Sequence, residues 1–286
     1  MQLVLVSGLS GSGKSIALDV LEDSGYYCVD NLPATLLLDV VKFLYDGGQD
    51  RVAVSVDARS VALSSLPQHL ASLKALGAET TILFLEASPE TLLRRFSETR
   101  RSHPLAGTGR ATGLTLSEAI ERERALLAGV AELGHRIDTS GLQPKVLRNW
   151  IKDLLGRGKG SLTLLFESFA FRDGIPLDAD WVVDARMLPN PHYQPGLAAL
   201  TGRDAPVIEF LEREAMVGAF LADLTAFLGR WLPAVRRDNR NYLTVAIGCT
   251  GGRHRSVYLV ERLARAFSRR YQVLTRHREL HTGPES

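Results

Sequence analysis
Cysteine is nearly absent: Cys28 and Cys249 are the only two in 286 residues. That is too few for a disulfide framework or a cysteine-based zinc site. No apolar run approaches the roughly 20 residues a bilayer-spanning helix needs. The first apolar stretch, Leu3–Val6, has no basic segment ahead of it and runs straight into glycines, so no secretory signal is expected. A reduced, cytoplasmic protein without a membrane partner is the expectation. An excess of charge of one sign is also missing: 34 basic against 32 acidic residues leave +2. Apolar residues at 45% and charged residues at 23% exclude wholesale disorder. At ~150 residues per domain the chain makes one large domain or two ordinary ones. There is no internal repeat.

Charge is uneven along the chain. Residues 1–155 hold 16 basic and 18 acidic residues, and residues 156–286 hold 18 and 14. Arg253, Arg255, Arg262, Arg265, Arg269, Arg270, Arg276 and Arg278 face only Glu261, Glu279 and Glu285 from Arg253 onward. A basic end attracts phosphates, free or in nucleic acid. It also reads as a solvated arginine-rich helix.

The first half alternates between apolar runs and helical spacing. Strands are expected at Leu3–Ser7, Tyr26–Val29, Arg51–Val56, Thr81–Leu85 and His135–Asp138. Helices are expected at Ser15–Ser24, Thr35–Tyr45, Pro67–Leu76, from Ser88 onward, and at Leu116–Leu133. This alternation predicts an α/β domain with a parallel sheet covered on both faces. His103–Gly113, rich in Gly, Thr and Pro, reads as a loop, and Gly156–Gly160 as a linker between domains at 1–155 and 160–286. Beyond it, strands are expected at Leu162–Phe166, Trp181–Asp184 and Tyr242–Ile247, and helices at Glu209–Trp231 and Ser256–Arg269. The prolines of Leu188–Gly196 argue against regular structure there.

Gly8-Leu9-Ser10-Gly11-Ser12-Gly13-Lys14-Ser15 matches G-x-x-x-x-G-K-[ST] between an expected strand and an expected helix. Its glycines let backbone N–H groups converge on phosphate oxygens. Lys14 places a charge at the β/γ-phosphates, and the Ser15 hydroxyl ligates Mg²⁺. Three carboxylates are candidates for the metal's acidic partner: Asp57 and Glu86 at strand ends, and Asp30 in Asp30-Asn31-Leu32-Pro33. Arg94, Arg95, Arg100 and Arg101 lie beside the Gly-rich loop, as lid arginines or as a solvated helix face.

Cys249-Thr250-Gly251-Gly252-Arg253-His254-Arg255-Ser256 again links a strand to a helix. Its spacing allows a cysteine-dependent phosphatase, for which Asp184 or Asp180 is the available acid. It equally allows a phosphate cradle built from N–H groups and arginines, and the cradle is preferred. His192 and Tyr193, in Pro189-Asn190-Pro191-His192-Tyr193, are candidates for the same pocket.

The stretches VSGLSGSGKS, YYCVDNLP, RRFSETRRSHPL, FESFAFRDGIPLDAD, LPNPHYQP and YLTVAIGCTGGRHRSVY, with the strand ending in Asp57, together resemble the RapZ/YvcJ family of bacterial P-loop proteins from about Met1 to Arg278. The resemblance implies a kinase-like P-loop NTPase domain and a C-terminal α/β domain similar to a sugar-phosphate-binding domain. It implies ATP at Gly8–Ser15, GTP at Asp57-Ala58-Arg59-Ser60, and weak hydrolysis of both with Mg²⁺. It implies a tetrameric adapter that presents a small regulatory RNA to an endonuclease of the RNase E type, senses glucosamine-6-phosphate and controls amino-sugar synthesis. RNA would meet Arg269, Arg270, Arg276, His277 and Arg278. The chain departs from the family's adapter in its tail, His281–Ser286, which lacks a lysine-rich finish, and in a longer loop at Gly107–Gly113. The competing readings are a small-molecule kinase and a phosphatase at Cys249.

Overall fold
A computed structural model describes residues 1–60, 62–106, 113–155, 162–237 and 242–280. The linker at 156–160, the loop at 107–112 and the tail at 281–286 lie outside them. The chain packs as two units, Met1–Gly156 and Arg157–Ser286.

The first unit is built on β1 (Gln2–Gly8), β2 (Tyr27–Val29), β3 (Arg51–Ser55), β4 (Glu79–Glu86) and β5 (His135–Asp138). These form one parallel sheet in the order β2-β3-β1-β4-β5. In register, Val4 lies between Ala53 and Thr81. Leu3–Val6 of β1 and Val52–Val54 of β3 are continuously apolar because helices cover both faces. The helices are α1 (Lys14–Asp23), α2 (Leu37–Asp46), α3 (Leu66–Ala75), α4 (Pro89–Thr99), α5 (Leu116–Ala131) and α6 (Pro144–Leu155). Leu3, Leu5, Val52, Val54, Leu73 and Leu127 form the core. Ser88 caps α4 by accepting from the Thr91 N–H, with Pro89 in the first turn. Thr115 and Glu118 form a capping box at α5. The strand order reverses beside β1, so its carboxyl end opens onto the crevice where such sheets bind ligands.

The second unit holds β6 (Thr163–Ala170), β7 (Trp181–Asp184), β8 (Tyr242–Cys249) and β9 (Gln272–His277), all parallel, in the order β7-β8-β6-β9. β6 is buried at every position. The helices are α7 (Ala205–Arg213), α8 (Ala215–Arg237) and α9 (Arg255–Phe267). Phe166, Val245, Ile247, Leu259 and Leu263 lie in its core.

Four expectations need correction. Thr35–Tyr45 begins as a 3₁₀ turn, Ala34–Leu36, before α2. Glu209–Trp231 is two helices, broken where Glu214 turns to extended ψ. The proline-rich stretch holds a 3₁₀ turn, Pro191–Tyr193, because Asn190 caps it and Pro191 supplies a helical φ at its first position. Among the described residues, one helix is long and apolar enough to cross a membrane by length and composition: Ala215–Arg236, mean hydropathy 1.3. Asp223, Thr225 and Arg230 interrupt the run in the sequence. Its Val217, Leu228 and Leu232 side chains pack into the second unit's core. α6 and β9 went unanticipated.

Candidate functional site
The phosphate loop leaves β1 at Gly8 and enters α1 at Lys14. Gly8 has φ +139°, and a Cβ there would lie 2.0 Å from the Leu85 carbonyl oxygen, so only glycine lets β1 approach β4 so closely. Gly13 caps α1 in the left-handed region, φ +107°. Lys14 Nζ donates to the Gly8 carbonyl at 2.6 Å, folding the side chain back over its own loop. Burial pushes the Lys14 ammonium below the usual lysine range, and the carboxylates of Glu123, Asp57 and Asp30 oppose that shift. Ser15 is exposed at the mouth.

Two of the three candidate carboxylates, Asp57 and Asp30, therefore act on the loop lysine through their charge. Asp57 accepts from the Arg59 backbone N–H at 2.9 Å and from its guanidinium Nη2 at 2.6 Å. This closes the Asp57–Ser60 turn on itself, and the Asp57 hydrogen bond raises the Arg59 pKa. Ser60 Oγ accepts from the Ala34 N–H, tying the turn to the segment after β2. Asp30 is exposed and accepts from the Ser55 hydroxyl. Glu86 is otherwise engaged. It is buried and accepts from Arg136 Nε at 2.8 Å and Arg124 Nη1 at 3.2 Å. Burial raises its pKa, and Arg136 and Arg124 oppose the rise. It does not figure among the charges acting on Lys14. Glu86 is thus committed to Arg136 and Arg124.

The four arginines of the α4 region separate as well. Arg95 alone reaches the loop, donating to the Gly11 carbonyl at 2.9 Å and the Thr139 carbonyl at 2.6 Å. Arg94 pairs with Glu98 on the surface, and Arg100 and Arg101 are exposed. Thr139 Oγ1 lies 2.9 Å from the Ser12 carbonyl. Sequence reasoning missed Thr139 and missed Glu123, a buried acid on α5 that accepts from Ser10. An apolar face interrupted by one acid was the available signal for Glu123.

In the second unit, β8 ends at Cys249 and α9 starts at Arg255. Gly252 sits at φ +64°, where a Cβ would lie 2.9 Å from the Ala170 backbone nitrogen. Cys249 is 2% exposed, and its Sγ lies 3.2 Å from Ser256 Oγ. Arg255 is buried and donates to the carbonyls of Arg186 (2.8 Å) and Leu188 (2.9 Å). His254 lies 3.1 Å from the Leu197 carbonyl oxygen through Nε2. Its burial lowers its pKa. Thr250 and Arg253 are exposed at the mouth, with Gly251 half-buried beside them. The His192 ring lies 6.4 Å from that of His254, with Tyr193 exposed outside it. Asp184 is bound to Arg186, and Asp180 accepts from the Thr244 N–H.

The basic end is only partly on the surface. Arg269 and Arg270 are exposed. Arg276 is 4% exposed on β9, where register sets it beside Glu167. Arg278 Nη1 lies 3.6 Å from Glu167. His277 lies between Ser168 Oγ (2.7 Å) and Glu261 (3.2 Å). These three were expected to meet RNA and instead serve the interior, because β9 is a strand of the sheet and not a solvated tail.

A phosphate loop that leaves the central strand of a parallel sheet and caps a helix with a lysine and a serine defines a P-loop protein of the α/β class. Residues 1–159 match the RapZ-like N-terminal domain, and residues 162–281 match the RapZ C-terminal domain. The chain belongs to the RapZ family. It is 59% identical over 281 residues to a nucleotide-binding protein of Thiobacillus denitrificans, covering 98% of this chain and 100% of that one. It is 55% identical over 282 residues to a nucleotide-binding protein of Chromobacterium violaceum, covering 98% and 99%. Among solved structures, a Janibacter sugar kinase is similar over 55% of this chain and 95% of its own, at 16% identity and TM-score 0.37. A shikimate kinase from Acinetobacter baumannii is similar over 54% and 92%, at 17% identity and TM-score 0.37.

Proposed function
We propose that the chain is a cytoplasmic, nucleotide-binding regulator that hydrolyses ATP and GTP weakly with Mg²⁺. In this reading it binds a phosphorylated sugar in its second unit and acts as an RNA-binding adapter for an endonuclease in control of amino-sugar synthesis. One observation carries the reading: each unit has a strand–glycine turn–helix cradle at the carboxyl end of a parallel strand, built for a phosphate. The relatives' name, nucleotide-binding protein, supports the first cradle. Gly8–Ser15 would hold the triphosphate. Ser15 with Asp57 and Asp30 would serve Mg²⁺, and Asp57–Ser60 would flank it as the expected GTP segment.

The second cradle favours binding over phosphatase chemistry. Its thiol is buried against Ser256, its Arg255 guanidinium is committed to two backbone carbonyls, and both nearby aspartates are engaged. Thr250, Gly251 and Arg253 would contact glucosamine-6-phosphate, with His192 beside them. Arg265, Arg269 and Arg270 are exposed together and would meet RNA phosphates. Self-association completes the proposal. The outward side of α8 exposes Ala215, Ala219, Ala222, Ala226 and Gly229, with Met216 and Trp231 beside them. Calorimetry tests the second site: glucosamine-6-phosphate should give heat with the wild type and little with Arg253→Ala, and equal heats would refute the placement.

A further inference from the structure
Glu123 is 1% exposed, yet no arginine or lysine pairs with it among the described residues. A buried carboxylate without a cation must be stabilised by hydrogen bonds. Three converge on it. The Ser10 backbone N–H donates to Oε2 at 2.8 Å, the Ser10 hydroxyl donates to Oε1 at 2.7 Å, and His103 Nε2 lies 3.1 Å from Oε2. The Leu105 N–H donates to His103 Nδ1 at 3.2 Å, so Nδ1 holds the lone pair and Nε2 carries the hydrogen. His103 is itself 2% exposed, and its ring is tilted against the Phe96 ring of α4 at 5.2 Å between centroids.

We infer that Glu123 is the positioning residue of the phosphate loop. By taking both donors of Ser10 it turns the loop's third residue outward, toward α5. The Ser12 N–H donates to the Leu9 carbonyl at 3.0 Å, and the N–H groups of Gly11, Gly13, Lys14 and Ser15 are left to face phosphate oxygens. Through His103 and Leu105 the same chain of hydrogen bonds fastens the start of the α4–α5 connection to the loop. The role rests on the reading of Gly8–Ser15 as a nucleotide site.

The test uses the full chain, with fluorescent ATP titration, steady-state hydrolysis and thermal unfolding without nucleotide. In Glu123→Gln the amide oxygen can keep the Ser10 N–H and His103 while its nitrogen donates to the Ser10 hydroxyl, so the charge of these contacts is lost and their geometry is kept. Ser10→Ala removes one bond only, from the loop side. His103→Gln keeps a donor where Nε2 stood, whereas His103→Asn does not. We expect E123Q to weaken ATP binding and kcat by about tenfold or more, as loss of a charge-assisted contact implies, and S10A by less. We expect His103→Gln to recover most of the loss seen in His103→Asn. A purely structural role predicts lower melting temperatures with wild-type Kd and kcat below the transition, and that pattern would overturn the inference. If E123Q does not fold, S10A and the His103 pair decide it alone: unchanged ATP binding in S10A, with equal values for the two His103 variants, would sink it. Lys14→Ala separates the two levels. If it also binds ATP normally, the nucleotide site itself is misplaced. If it loses ATP while E123Q and S10A do not, only the positioning role fails.

Discussion
Single residues decide what each cradle can do. Lys14 and Ser15 were legible from spacing, because the P-loop pattern is local and its glycines answer a local backbone demand. Glu123, His103, Thr139 and the committed state of Glu86 were not. Their partners lie far along the chain (Glu123 meets Ser10 across 113 residues), and only the sheet brings them together. Gly252 gives a sharp residue-scale expectation. Gly252→Ala forces a left-handed φ on an L-residue, at about 1–2 kcal/mol, and pushes a methyl against Ala170. Sugar-phosphate binding in calorimetry should disappear along with that stability, and retained binding with an unchanged melting temperature would contradict the geometry. His254 and His277 both have pKa values lowered by burial. The unfolded imidazoles take protons near 6.5 and the folded ones only at lower pH. Below about pH 6.5 the unfolded state therefore binds more protons, and the second unit loses stability as pH falls. Urea midpoints followed by intrinsic fluorescence between pH 7.5 and 5.5 should decline in the wild type and less so in His277→Gln.

Elements were legible where their pattern is local and strong. The strand Arg51–Ser55, the capped start of α4 and the helical spacing of α5 read directly. β9 did not, because Gln272, Thr275, Arg276 and His277 give a polar run whose arginine is buried only by register with Glu167. That single element leaves Arg269 and Arg270 as the exposed members of the expected set Arg269, Arg270, Arg276, His277 and Arg278. The break at Glu214 escaped notice because apolar spacing continues across it. The capping box at α5 offers a stability test. Thr115→Ala should cost about 1 kcal/mol, read as a lower melting temperature, while Thr115→Ser should cost less. Equal values for both would mean that the hydroxyl does not cap the helix.

At the scale of the molecule, the charge split along the chain maps onto the two packed units, acidic first and basic second. This predicts separable activities. Replacing Arg265, Arg269 and Arg270 with alanine should remove RNA binding and leave ATP hydrolysis intact. Three phosphate contacts per chain predict a salt slope of about −2 to −3, from ~0.7–0.9 per contact. A gel-shift salt titration in which the triple variant keeps the wild-type slope would place RNA elsewhere. The central claim, however, is that Gly8–Ser15 holds a nucleotide triphosphate. Its most direct measurement is calorimetric titration of MgATP into the wild type and Lys14→Ala, with circular dichroism to show that both are folded. The account predicts saturable binding in the wild type and about tenfold or greater weakening in the variant. Equal affinity in the two proteins would contradict it.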